Sequence, residues 1–226
     1  MGGLLVIIVG IFNIIQLFLV DKSDPKAVLL FAVYGIIFLV GGLIFFAVAI
    51  RGILNFKKLI INASSILLLM CAISNAIYLL TGNGGVDIIP LSLSVVNIIL
   101  CLSTLPMTFT RYANLEDMDA REKVSYVSLI LLRGSGLFHI LQPLIYEFRL
   151  ETIGMLVFGV LYILIALMLS SRKDANLIQL IGFILPIIGA ILGTVLLFIY
   201  LTPYVIVFII FDGIISPIRF YYIKTQ

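Results

Sequence analysis

The chain has 226 residues, of which 63% are hydrophobic and only 11% are charged, with a formal net charge of +3. This composition lies far outside the range of soluble globular proteins and leaves no segment polar enough to form a soluble domain. Apolar runs of about 18–25 residues recur along the whole length, each long enough to cross a hydrocarbon core of roughly 30 Å. We therefore predict an all-α polytopic membrane protein in a lipid bilayer, with no nucleic-acid partner.

Eight transmembrane helices are predicted, at about 3–20, 28–50, 59–81, 88–110, 125–146, 152–170, 177–200 and 203–221. Short polar or Gly-rich segments separate them, such as "DKSDPK" after the first helix and "GNGG" after the third. The N-terminal run lacks the basic region and cleavage site of a signal peptide, so we interpret it as the first span. The weakest break is "YLTPY", where Pro203 suits the first turn of a new helix; one kinked continuous helix is the alternative.

The basic residues support eight spans and orient them. With eight spans, ten of the 14 Lys and Arg residues fall on one face, three fall on the other, and Arg133 lies within a span. The positive-inside rule assigns the richer face, which carries both termini, to the cytoplasm. Merging the last two spans would move the basic C-terminal residues to the poorer face.

A seven-residue pattern occurs twice in the chain. "GIFNIIQ" begins at Gly10 in the first predicted span, and "GLFHILQ" begins at Gly136 in the fifth. A looser match pairs "VYGIIFLVGGLIF" in the second span with "VFGVLYILIALML" in the sixth. Duplication of a four-helix unit explains both matches; the alternative is chance similarity between Leu/Ile-rich helices.

Duplication predicts two parallel four-helix repeats, at residues 1–110 and 125–226, joined by a charged cytoplasmic linker at 111–124. Four spans are an even number, so both repeats would enter the membrane in the same orientation. The expected symmetry is a pseudo-two-fold axis along the membrane normal.

Polar side chains recur inside the predicted spans, where lipid offers them no hydrogen-bond partner. We expect several of them to line a polar cavity at the interface between the two halves. The candidate contacts are Asn13, Gln16, Asn75, Asn97, His139 and Gln142. The alternative is that they only bond to neighbouring helices, each contributing about 0.6–2 kcal/mol.

Arg133 and Asp212 lie deep within predicted spans, where a charge costs roughly 2.5–3.5 kcal/mol even on insertion scales. We predict a buried ion pair between them. Two alternatives are that Arg133 extends to the headgroups and that Asp212 bonds through water to Arg219 on its own helix.

The sequence favours a small permease or channel. The alternative is a non-catalytic membrane scaffold, assembly factor or subunit of a larger complex, with a membrane-protein partner or as a homo-oligomer. An enzyme is disfavoured, because the single histidine has no second metal ligand nearby and no G-x-S-x-G nucleophile motif occurs. No cofactor, metal site or catalytic residue is predicted, and Cys71 and Cys101 show neither disulfide nor metal spacing.

Overall fold

The computed structural model describes residues 2–19, 24–51, 58–81, 88–113, 118–145, 150–171, 176–200 and 205–225. Within these stretches the chain is all-helical. The helices are α1 (Gly2–Leu19), α2 (Pro25–Arg51), α3 (Lys58–Thr81), α4 (Ile88–Ala113), α5 (Ala120–Ile145), α6 (Leu150–Ser171), α7 (Asn176–Tyr200) and α8 (Val205–Lys224).

The start of α2 is held by a capping aspartate. One carboxylate oxygen of Asp24 accepts the backbone N–H groups of Lys26 at 2.9 Å and Ala27 at 3.2 Å, which lack partners inside the helix. Pro25 occupies the first helical position, where its missing N–H costs nothing. The other carboxylate oxygen accepts the hydroxyl of Tyr78, which ties this end of α2 to α3.

Helix α5 begins at Ala120, rather than at about residue 125 as predicted. Asp119 and Glu122 form a reciprocal capping box at its start, with N···O distances of 2.7 and 3.3 Å. The charge of this segment suggested a linker, but the same carboxylates satisfy the free N–H groups of the first turn. Helix α4 likewise continues to Ala113, so both helices extend into the predicted linker at 111–124.

Six of the described helices contain stretches long and apolar enough to cross a membrane, and α1 and α4 contain shorter apolar stretches, Gly3–Leu19 and Ile88–Ser103. The six stretches are Pro25–Ile44, Asn62–Thr81, Ala120–Pro143, Thr152–Ser171, Asn176–Ile199 and Val205–Lys224. They indicate a helical integral membrane protein, and the full count of eight spans stays a prediction.

The chain divides into two compact units, Met1–Asn114 and Leu115–Gln226. In the first unit, α1 packs on α2 and α4, and α3 packs on the same two helices. In the second unit, α5 packs on α6 and α8, and α7 packs on the same two helices. The four helices of each unit therefore pack around a ring.

Helices α7 and α8 are two antiparallel helices. Gly182 lies against Arg219, Gly189 against Asp212, and Gly193 against Val205, so numbers rise along α7 as they fall along α8. This register excludes the alternative of one kinked continuous helix across 200–204. The break itself lies at residues 201–204, outside the described residues.

Candidate functional site

Asn13 on α1 and Asn75 on α3 meet in the interior of the first unit, where both are fully buried. The Nδ2 group of Asn75 donates a hydrogen bond to Oδ1 of Asn13. The Nδ2 group of Asn13 donates in turn to the backbone carbonyl of Val9 on its own helix, at 2.9 Å. The pair thus links two helices that lie across the ring from each other.

Gln16 lies one turn further along α1 and links it to α4. Its Nε2 group donates to the carbonyl of Pro90 at 2.5 Å and to the hydroxyl of Ser94 at 2.7 Å. Gln16 and Ser94 are both fully buried. This contact sets the height of α4 against α1.

Asn97 follows Ser94 by one turn on α4. Because short connections make successive helices antiparallel, α4 runs opposite to α1, and Asn97 lies at the level of Asn13. Asn97 is fully buried, yet neither its Nδ2 nor its Oδ1 atom has a hydrogen-bond partner among the described residues.

The unbonded amide of Asn97 leads to a stability prediction. We expect Asn97→Leu to leave the free energy of unfolding unchanged or to raise it by about 1 kcal/mol, because it removes two buried polar atoms without bonds. The matched variant Asn13→Leu should lower it by about 1–3 kcal/mol, because Asn75 loses its acceptor. Labelling of the buried thiols Cys71 and Cys101 during heating reports unfolding of the first unit. Equal losses in the two variants would contradict an unpartnered Asn97.

In the second unit, His139 on α5 is almost completely buried, with 4% of its surface exposed. Its Nδ1 atom lies 2.8 Å from the carbonyl oxygen of Ser135, one turn earlier, and 3.4 Å from the Ser135 hydroxyl. A carbonyl only accepts, so Nδ1 carries the proton and Nε2 is left as an acceptor. The ring centroid lies 4.0 Å from that of Phe208 and 5.2 Å from that of Tyr162.

Asp212 on α8 is fully buried beside this histidine. Its Oδ1 atom accepts the Ser135 hydroxyl at 3.2 Å, so one serine contacts both His139 and Asp212. Its Oδ2 atom lies beside the hydroxyl of Tyr162, and both oxygens pack against Gly189 on α7. A side chain at position 189 would collide with both oxygens.

Arg219, the other buried charged residue on α8, bonds to residues other than Asp212. Arg219 is fully buried, and its guanidinium donates to the hydroxyl of Ser128 at 3.0 Å and to Oε1 of Gln179. Because Ser128 and Ser135 on α5 contact Arg219 and Asp212 respectively, α5 and α8 are antiparallel. Each charge therefore has a serine partner, and neither neutralises the other.

A pocket with a cavity volume of about 220 Å³ lies between the helices of the second unit and opens to the surface at the exposed residues Gly154 and Val195. Its wall comes from all four helices of the ring and is almost entirely apolar. His139 and Gly189 bring the polar groups to it, since Asp212 and Tyr162 lie immediately behind Gly189. The aromatic and aliphatic part of the lining includes Met155, Phe158, Leu192, Leu196, Val205 and Phe208.

The structure does not bring Arg133 and Asp212 together as an ion pair. Arg133 is partly buried and donates through Nη2 to the hydroxyl of Ser170 on α6, at 2.9 Å. Arg133 and Ser135 are two residues apart on α5, which is about 200° around a helix. Ser135 faces Asp212, so Arg133 points to the opposite side of α5.

The remaining candidate, Gln142, is fully buried one turn after His139. Its Nε2 group donates to the carbonyl of Phe138 at 3.0 Å, and its Oε1 atom has no hydrogen-bond partner in the described part of the chain. The six amide and imidazole candidates are thus all buried. Four lie in the first unit and two in the second, and the prediction that they line one common cavity stays a prediction.

Sequence reasoning missed three contributors to the second unit's site. Tyr162 and Gly189 gave no signal, because an isolated tyrosine or glycine is ordinary in an apolar helix. Gln179 could have been noticed as a lone amide in an apolar run, like the six candidates. Among the described residues, no three His, Cys, Asp or Glu side chains are grouped so that they could hold a metal ion.

Apolar helices with polar side chains turned into their ring interiors define an all-helical integral membrane protein with an internal pocket. Comparison with protein-family models, with curated proteins and with solved structures finds no match for the chain. Function must therefore be inferred from the chain's own side chains.

Proposed function

We propose that this protein is a small permease and that the pocket in its second unit is the substrate site. The observation that carries the proposal is a cavity between membrane-spanning helices that is lined by His139 and Gly189, with the carboxylate of Asp212 directly behind Gly189. Imidazole and carboxylate groups are rarely kept at such depth unless they have a function. A volume of about 220 Å³ suits a small solute.

The internal repeat is part of the proposal. The two rings have the same order of packed helices. In the first unit Gly35 of α2 packs against Asn13 of α1, and in the second unit Gly159 of α6 packs against His139 of α5. Residues that correspond in the two matched motifs therefore make corresponding contacts, which supports a duplication.

We further propose that both termini are cytoplasmic and that the pocket faces the opposite side of the membrane. The pocket residues come from late α5, early α6, late α7 and early α8. In an antiparallel ring these four segments lie at one end. The distribution of basic residues assigns that end to the non-cytoplasmic side.

Cysteine accessibility tests the permease proposal without knowledge of the substrate. The native thiols are first removed by Cys71→Ala and Cys101→Ala, and Met155→Cys is then introduced into the pocket wall. Met155 is 7% exposed, whereas Val157 on the same helix is 51% exposed on the outer surface. We expect a charged thiol reagent added to sealed vesicles to modify the pocket cysteine but not a Val157→Cys control in lipid.

The side of the membrane from which the reagent reaches the pocket cysteine distinguishes a permease from a channel. Modification from one side at a time, shifting with conditions, supports a permease, whereas simultaneous access from both sides indicates a channel. A pocket cysteine that stays unmodified from both sides would overturn the proposal. A dry interior would instead favour the scaffold alternative.

A further inference from the structure

We infer that the pocket takes a small organic cation, namely a protonated amine on an apolar body, with Asp212 as its counter-ion. The inference rests on the proposed function, because it assumes that the pocket binds a ligand. It goes further by naming the charge and shape of that ligand.

The charge follows from the surroundings of Asp212. Its carboxylate is fully buried, and no basic side chain among the described residues contacts it. Arg219 donates to Ser128 and Gln179, and Arg133 donates to Ser170. A buried carboxylate without a counter-ion is costly, and a bound cation offsets that cost.

The position of the ligand's ammonium group follows from the polar groups around the pocket. Ser135 occupies Oδ1 of Asp212, whereas Oδ2 lies beside the hydroxyl of Tyr162. This oxygen lies behind Gly189, which lines the pocket, so the carboxylate charge is one residue away from the cavity. An ammonium group on the pocket side of Gly189 could donate to Nε2 of His139, which is an acceptor, while the carboxylate of Asp212 attracts its charge across Gly189.

The rest of the wall suits an uncharged, apolar body. Phe158 and Phe208 present aromatic rings, which also favour a nearby cation, and Leu192 and Val205 are aliphatic. Among the described residues, no arginine or lysine lines the pocket. An anionic solute would therefore meet a buried carboxylate and no compensating cation.

Binding of benzylamine to the full-length protein in detergent, measured by equilibrium dialysis at neutral pH, tests the inference. Benzyl alcohol is the neutral probe of the same shape. We expect benzylamine to bind, Asp212→Asn to weaken it roughly 30-fold or more, and Asp212→Glu to restore part of the loss. Binding of benzyl alcohol should change little in Asp212→Asn.

Ser216→Ala is the matched control, since Ser216 is buried one turn beyond Asp212 and, among the described residues, its hydroxyl bonds to the backbone of its own helix alone. It should bind benzylamine like the original chain. If Asp212→Asn weakens both probes equally, or leaves benzylamine binding intact, the cation inference is overturned. If neither probe binds the original chain, the inference is likewise overturned, while cysteine accessibility judges the permease proposal separately.

Discussion

Replacing Gly159 with alanine is expected to lower the free energy of unfolding by about 2–3 kcal/mol. A Cβ atom at this position would lie 2.6 Å from the backbone oxygen of Gly136 on α5 and 2.9 Å from Cβ of His139. A backbone oxygen cannot rotate away, so α5 and α6 would have to separate. Close approach at small residues is a main source of helix association in membranes.

Thermal unfolding in detergent, followed by circular dichroism, measures this effect, and the midpoint should fall by roughly 5–10 °C. Gly154→Ala is the matched control on the same helix, because an added Cβ there meets nothing within 4 Å. That variant should be unchanged or slightly more stable, since alanine favours helix over glycine. Equal midpoints for Gly159→Ala and the original chain would contradict the close α5–α6 contact.

The second large effect is expected from Gln179→Leu, which should cost about 2–4 kcal/mol. Oε1 of Gln179 on α7 accepts a hydrogen bond from the guanidinium of Arg219 on α8. Arg219 is fully buried, so the substitution would leave part of a buried charge without an acceptor. Gln179→Glu keeps an acceptor and adds a counter-charge, and we expect it to match or exceed the original stability.

A double-mutant cycle with Arg219→Met separates this bond from the packing of the glutamine stem. The double variant should be less destabilised than the sum of the two single variants, because an apolar pair has no unmet hydrogen bond. Additive losses would show that the Gln179–Arg219 bond contributes nothing specific. The same unfolding measurement in detergent serves for all four proteins.

The identity and placement of the helices could be predicted from sequence because hydropathy is a local property. Each helix of the structure overlaps a predicted span, and the difference at α5 arises from a capping box, itself a local motif. Hydropathy also indicated that Asn13, Asn97 and His139 would be buried, since a polar side chain avoids lipid by turning inward.

The partners of these side chains could not be predicted, because they depend on how each helix is rotated against its neighbours. Depth and charge alone predict an ion pair between Arg133 and Asp212. The rotation of α5 instead turns Ser135 towards Asp212 and Arg133 away from it. The contact of Gly136 with Gly159 brings α5 close to α6. That contact involves residues that are distant in the chain and have no polar signature.

Composition and periodicity decide which solvent each segment accepts, so they predict a helical membrane protein whose polar side chains are kept out of the lipid. Packing between helices brings His139 and Asp212 to one serine, whereas it leaves Asn97 with no hydrogen-bond partner among the described residues. The physical reason is that packing distances between helices are set by small residues such as Gly159 and Gly189, whose effect exists only once the helices meet.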